Sequence, residues 1–278
     1  MGVPIDGKKV AISYKEKLKK FIQNRLENGL RPPCIASILI GNDKGSLFYI
    51  RNQHRLCTEV GVEFKSIILE ENVPEKSVLD AIDKLNVDPN IDGVILQMPL
   101  PSYLDEEKII SRINHLKDVD GLTDINAGKF YKGEKCFTPC TSQGIIELIK
   151  STGIEISGKK AVVLGRSTIV GKPVAQLLVN EDATVTICHS KTRNIEKICR
   201  EADILVSAIG KPRFITEDFV KEGAVVIDVG FSVLDGKMVG DVDYEKVLPK
   251  ASFITPVPGG VGSMTPIMLI KNTCEVLK

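Results

Sequence analysis

The chain has 278 residues, room for one large domain or two modest ones, and 43% of them are hydrophobic, ample for a packed core. Lys plus Arg (37) balances Asp plus Glu (36), leaving a formal net charge of +1. That balance gives no electrostatic reason to expect nucleic acid or a membrane surface as partner.

No stretch approaches the ~20 apolar residues of a membrane span, and MGVPIDGKKVAISYKEKLKK holds no apolar run of signal-peptide length, so the expected location is the cytoplasm. Asp6 stands where a myristoylation signal needs Ser or Thr. The cysteines, Cys34, Cys57, Cys136, Cys140, Cys188, Cys199 and Cys274, are odd in number and irregular in spacing. They read as free thiols in a reducing compartment. No second Cys/His pair joins Cys136 and Cys140 at ligand spacing, so no metal site is expected.

In chain order, Val10, Tyr14, Leu18, Phe21, Ile22 and Leu26 recur at helical spacing, and Gly29 with Pro32-Pro33 ends that helix. IASILI (35–40) is a short apolar run and reads as a buried strand. Residues 44–60 read as a helix ending at Gly61, 64–69 as a strand, and Pro74 opens a helix to about Leu85. DGVILQ (92–97) is a strand ended by MPLP; 105–113 is a short helix. KDVDGLTDINAGKF reads as a polar, glycine-containing loop, and 141–152 as a helix capped by Thr141 or Ser142.

A second alternating series follows. KAVVLG (160–165) is a strand, 171–180 a helix with Pro173 in its first turn, 183–188 a strand and 192–201 a helix. Residues 202–210 and 223–230 each hold a strand, LDGKM signals a small hairpin, 253–262 passes from strand into a Gly-rich loop, and 264–278 is the last helix. Strand–helix alternation of this kind implies an α/β fold with parallel sheet and crossover helices, here in two lobes. The active site is expected in a cleft between the lobes, facing the strand C-termini.

The run KKAVVLGRSTIVGKPVAQLL joins an apolar strand, a glycine turn and a helix start. Gly165 and Gly171 bracket the turn like the first and third glycines of a GxGxxG turn, one residue further apart, with Ser167 in place of the middle one. Such a turn offers backbone N–H groups at a helix N-terminus to a phosphate. The nucleotide set is then Gly165, Arg166, Ser167, Ile169, Val170 and Gly171, with His189 and Ser190 after the next strand and Ala208, Ile209 and Gly210 after the third. An NAD site places an acid at the end of the second strand. Here that strand ends CHSKTRN, with Ser190, Lys191 and Arg193 and no acid, and Arg166 lies in the turn itself. Donors and positive charge suit a 2′-phosphate, so NADP is expected over NAD.

Four further segments are unusual for loops: GNDKGSLFYIRNQHRLCTEVG (41–61), GVILQMPLP (93–101), KDVDGLTDINAGKF (117–130) and TPVPGGVGSMT (255–265). With the glycine turn, FTPCT, ADILVSAIGKP and VIDVGFSVLDGKMVGDVDY, they resemble the methylenetetrahydrofolate dehydrogenase/methenyltetrahydrofolate cyclohydrolase (FolD) family over nearly the whole chain. The resemblance implies a folate (catalytic) domain at 1–119, with the C-terminal helix 264–278 packing back toward it, an NADP-binding Rossmann-like domain at 120–263, and a homodimer. It also implies roles. Tyr49 would lie against the pterin, Gln97 beside the reaction centre with Pro99 and Leu100, and Asp120 on the amino-pyrimidine edge. Pro258, Gly259 and Gly260 would line the folate site, with Thr265 nearby. Adjacent N–H donors on the pterin suit a single carboxylate, and a carboxylate there favours the cation formed on oxidation.

One residue departs from the family. Members that also hydrolyse methenyltetrahydrofolate carry a lysine four residues after the tyrosine, where this chain has Gln53. Tyr49 and Gln53 share a helix face, whereas His54 is turned by ~100°. Glutamine cannot shuttle a proton, and losing general acid–base catalysis costs ~10²–10⁴-fold. The expectation is NADP-dependent oxidation of 5,10-methylenetetrahydrofolate with the hydrolytic step weak or absent. The alternatives are a bifunctional enzyme that goes on to 10-formyltetrahydrofolate, and a non-catalytic folate- or nucleotide-binding protein. Ser263 and Ser232 are smaller departures that remove no reacting group.

Overall fold

The computed structural model describes residues 2–277, the side chain of Lys44 excepted. In chain order the first half runs β1 (Val3–Pro4), α1 (Gly7–Glu27), β2 (Cys34–Ile40), α2 (Lys44–Val60), β3 (Glu63–Leu69), α3 (Glu75–Val87), β4 (Gly93–Leu96), α4 (Glu106–Arg112), α5 (Asp124–Lys132) and α6 (Cys140–Ser151). The second half runs β5 (Lys160–Leu164), α7 (Gly171–Asn180), β6 (Thr184–Cys188), α8 (Ile195–Cys199), β7 (Ile204–Ser207), β8 (Val225–Asp228), β9 (Ser232–Leu234), β10 (Lys237–Val239), α9 (Tyr244–Val247), β11 (Phe253–Ile254) and α10 (Thr265–Glu275). The chain divides into two compact units, Met1–Ile12 with Thr141–Thr265, and Ser13–Cys140 with Pro266–Lys278.

The second of these is built on a three-stranded parallel sheet, order β3-β2-β4. Every residue of β2 is buried, which is why its sequence is a continuous apolar run rather than an alternating one. Ala36, Ile38 and Ile40 of β2 pack with Val78, Ile82 and Leu85 of α3 and with Ile109 of α4. Each of these Val, Ile and Leu side chains contributes roughly 1.5–3 kcal/mol by leaving water. Asp43 starts α2 by accepting the Ser46 N–H at 2.7 Å, and Gly61 closes it in the left-handed conformation.

The first unit holds a six-stranded parallel sheet, order β1-β11-β8-β7-β5-β6. The chain leaves β5 for β6 on one side and returns to β7 on the other, so the strand order reverses between β5 and β7. The β9–β10 hairpin forms where the DG signal placed it, with positive φ at Asp235 (51°) and Gly236 (73°).

Two sequence expectations differ from this fold. The segment read as a loop around 117–130 contains α5, capped by Thr123 and closed by Gly133. Its only buried residues are Asn126 and Phe130, too few for an apolar stripe to show in the sequence. Helix α6 begins at Cys140, so Thr141 and Ser142 lie inside it. Their hydroxyls turn elsewhere, Thr141 to Thr265 at 3.1 Å and Ser142 to the Val170 carbonyl at 3.3 Å. The compact units divide between Cys140 and Thr141, and residues 1–12 group with the six-stranded sheet. The causes are the β1–β11 pairing, Val3 with Phe253, and the Asn272 amide, which donates to the carbonyls of Val119 (2.8 Å) and Thr138 (3.0 Å).

Candidate active site

In the three-stranded unit, α2 presents Tyr49 and Gln53 one turn apart. Tyr49 is 41% exposed and Gln53 only 9%. Parallel pairing aligns Ser37 with Ile95 and Ile38 with Leu96, and the Gln97 N–H continues the ladder to the Ile38 carbonyl at 2.9 Å. This delivers the Gln97 side chain to Ser37 and Gln53. Its amide donates to Ser37 Oγ at 2.9 Å and to Gln53 Oε1 at 3.0 Å, all three residues being buried. Beyond Gln97 the Met98–Pro99 peptide is cis, Pro99 is exposed, and Leu100 packs partly against the core. The sequence signal for Ser37 is slight, a lone hydroxyl inside an apolar strand.

The two aspartates of KDVDG have different surroundings. Asp118 is buried and accepts from the N–H groups of Leu122 and Thr123, the Thr123 hydroxyl and the Asn126 amide, at 2.7–3.0 Å. It organises the turn and the start of α5. Asp120 meets one long backbone donor, the Cys140 N–H at 3.4 Å. Burial first, and the charge of Asp118 second, push the Asp120 carboxyl up to about 6. Burial alone raises the Tyr49 phenol. His54 lies on another face of α2, exposed, stacked on Phe64 with centroids 5.5 Å apart.

In the six-stranded unit, the expected nucleotide residues gather at the C-terminal ends of β5, β6 and β7, at the reversal of strand order. Open parallel sheets bind ligands at such a switch point. A Cβ on Gly165 would overlap the Ala208 carbonyl oxygen, and one on Gly171 would overlap the Gly165 carbonyl. The two loops and the start of α7 therefore approach at backbone distance, which only glycine permits. Ser167 does more than replace a glycine: its hydroxyl accepts from the Val170 and Gly171 N–H groups at 3.2 and 3.3 Å. Arg166, Ser167 and Ile169 are exposed. After β6, the His189 N–H donates to Thr192 Oγ1 at 2.9 Å, folding a turn from which Ser190, Lys191 and Arg193 are exposed. Ala208 and Ile209 are half-buried, and Gly210 is exposed.

Pro258, Gly259, Gly260 and Thr265 also belong to this unit. The Val257–Pro258 peptide is cis, and the Gly7 N–H donates to the Gly259 carbonyl at 2.9 Å. Among the described residues no group of three or more His, Cys, Asp or Glu is placed to hold a metal ion, and no helix is long and apolar enough to cross a membrane.

Comparison with known proteins assigns one family domain to each half of the chain. Residues 5–120 match the family model described as tetrahydrofolate dehydrogenase/cyclohydrolase, catalytic domain. Residues 139–278 match its NAD(P)-binding domain. A protein of Clostridium tetani named bifunctional protein FolD is 70% identical over the full length of both chains. The crystal structure of a bifunctional methylenetetrahydrofolate dehydrogenase/cyclohydrolase from Campylobacter jejuni superposes with a TM-score of 0.97 at 40% identity, covering 99% of this chain and 98% of that one. A Trypanosoma brucei dehydrogenase-cyclohydrolase, solved with NADP and an inhibitor, gives 0.94 at 37% identity, covering 99% and 97%.

Proposed function

Since the chain belongs to the tetrahydrofolate dehydrogenase/cyclohydrolase family, we propose that it oxidises 5,10-methylenetetrahydrofolate to 5,10-methenyltetrahydrofolate with NADP, in cytoplasmic one-carbon metabolism and as a homodimer. The observation that carries the folate assignment is the division of labour between the aspartates. Asp118 holds the turn with four donors, and Asp120 is left to accept the paired N–H groups of the pterin. Tyr49, half out of the surface of α2, offers its ring as a wall for the pterin. Gln97, held by Ser37 and Gln53, orients polar atoms of the substrate without moving a proton itself.

NADP supplies the hydride acceptor. The site fits it, because Gly165 and Ala208 bring backbone into contact at the switch point and the turn after β6 carries cationic side chains and no acid. The Val170 and Gly171 N–H groups face a pyrophosphate once the long Ser167 contacts are exchanged for it. Ser190, Lys191, Arg193 and Arg166 supply donors and charge for a 2′-phosphate. The relative solved with NADP supports this choice.

The relatives bear on hydrolysis as well. The Clostridium tetani protein, 70% identical, and the Campylobacter jejuni enzyme are both named bifunctional. Their names favour the alternative in which this chain also converts methenyltetrahydrofolate to 10-formyltetrahydrofolate, over the weak or absent hydrolysis expected from Gln53. In that reading Gln53 and Gln97 position the water, and the proton passes through solvent. The weak-hydrolysis reading keeps one observation: Gln53 has no titratable group, and His54 is stacked on Phe64 away from it. A spectrophotometric assay with NADP and with NAD, following methenyl formation and decay separately, tests all of this. NADP reduction with comparable decay establishes the bifunctional enzyme, and accumulation of methenyl establishes the dehydrogenase alone. Preference for NAD overturns the cofactor assignment. Binding of both ligands without turnover establishes a binding protein.

A further inference from the structure

Strand β8 ends at Asp228, and the chain comes back from the β9–β10 hairpin at Asp241; both side chains are buried. Asp228 accepts the N–H groups of Gly230, Asp241 and Val242, each at 2.9 Å. It thereby fastens the two ends of the hairpin together. The fastening leaves no room at its base, since a Cβ on Gly240 would overlap the Asp228 carboxylate.

Asp241, so held, turns its own carboxylate the other way. One oxygen accepts the Ser207 hydroxyl at 3.0 Å and the Ile209 N–H at 2.8 Å; the other accepts the Lys211 N–H at 2.8 Å. These donors span the end of β7 and the loop that carries Ala208, Ile209 and Gly210. The opposite side of that loop is the Ala208 carbonyl against Gly165. Burying a carboxylate among neutral donors costs several kcal/mol of lost hydration unless its acceptor sites are filled, and packing alone would be served better by an apolar side chain. What a carboxylate adds is two oxygens at fixed separation, which set three donors of one loop in register.

We propose that Asp241 is a positioning residue for the dinucleotide: its carboxylate, oriented by Asp228, holds the 207–211 loop in the conformation that receives the cofactor at the switch point. The inference rests on the dinucleotide reading of this unit given above. Asp241→Asn is the sharp test. Whichever way the amide turns, its NH2 group faces an N–H donor, at Lys211 or at Ile209, and one side of the loop is released.

The experiment measures NADP affinity of the full-length protein by titration, together with the KM for NADP, the KM for methylenetetrahydrofolate at saturating NADP, and the unfolding midpoint without ligands. The expected result is a rise in NADP Kd and KM of about tenfold, the worth of one charge-assisted hydrogen bond, with the folate KM within about twofold. A purely structural role would lower the unfolding midpoint and leave the Kd of the folded protein unchanged; that outcome overturns the proposal. If Asp241→Asn does not fold, Ser207→Ala, which removes a single donor, decides. A two- to threefold weaker Kd, on the order of half a kcal/mol, supports the proposal and an unchanged one overturns it. Wild-type protein that binds neither NADP nor NAD sinks the dinucleotide reading itself. Wild-type and Asp241→Asn binding NADP equally well sinks only the role of Asp241.

Discussion

The Gln97 amide donates to the Gln53 side-chain oxygen at 3.0 Å, across 44 residues of sequence. The two glutamines and Ser37 form one buried hydrogen-bonded row whose middle member has its NH2 group directed at both neighbours. No member of the row titrates, so whatever proton transfer hydrolysis needs must come from solvent or from outside it.

A lysine at position 53 should change this. In Gln53→Lys the Gln97 amide turns over, its oxygen accepting from the new ammonium group while the Ser37 hydroxyl turns to donate. A buried amine with a lowered pKa then serves as general acid or base. We expect hydrolysis of methenyltetrahydrofolate to rise at least ~10-fold relative to hydride transfer, toward the ~10²-fold lower bound for general acid–base catalysis. Separate rates of methenyl formation and decay check it, and an unchanged ratio shows that solvent already supplies the proton without loss.

Asp120 should make folate capture depend on pH. Its carboxyl is pushed up to about 6, by burial first and Asp118 second, and only the ionised form accepts both pterin donors. kcat/KM for methylenetetrahydrofolate should therefore fall as pH drops through about 6. Asp120→Asn should abolish that break and weaken folate binding by about 10²-fold, the scale of a lost charge-assisted pair.

The same group carries a stability consequence of opposite direction. A carboxyl whose folded value lies above its unfolded one stabilises the fold most below the unfolded value of 3.8, and that contribution is lost as pH rises through about 6. At pH 7.5 the ionised Asp120 is a burden on the ligand-free protein. Asp120→Asn should raise the unfolding midpoint there while impairing function, and should lose the advantage at pH 4. Thermal unfolding at the two pH values checks this.

Cofactor choice should follow the exposed cations after β6 and in the glycine turn. Replacing Arg166 and Lys191 together by alanine should reduce the preference for NADP over NAD by about 10- to 100-fold, one to two charge-assisted contacts. The loss should appear as a higher KM for NADP with little change for NAD, measured side by side.

Gly165→Ala should be costly for a local reason, its Cβ meeting the Ala208 carbonyl. We expect a loss of about 3 kcal/mol in stability by denaturant titration, in the upper range for a single substitution. Nucleotide binding should weaken even in the fraction that folds, because relieving the overlap parts the two loops at the switch point.

Much of this was legible in the chain itself. The alternation of strands and helices, the glycine turn, the DG hairpin and the absence of an acid after β6 are local patterns, since each depends on residues within a turn or a strand of one another. The helix at 124–132 was not legible, because Asn126 and Phe130 are its only buried residues and Gly128 lowers its propensity. The different surroundings of Asp118 and Asp120 do not show in local pattern either; at the sequence level only the family resemblance singles out Asp120. Two aspartates two residues apart look alike until donors from Thr123 and Asn126, at the start of α5, converge on one of them.

The amino-acid sequence determined the class of fold, the position of the nucleotide turn and the chemical groups available, because backbone propensity and hydrophobic period act over short range. The tertiary structure alone decided which groups meet. Gln97 reaches Ser37 and Gln53 because β4 pairs with β2 in one particular register, and Asp241 reaches the 207–211 loop because β8 lies beside β7. Such contacts join residues 30 to 60 positions apart. They depend on strand order and register, which emerge only when the whole core packs.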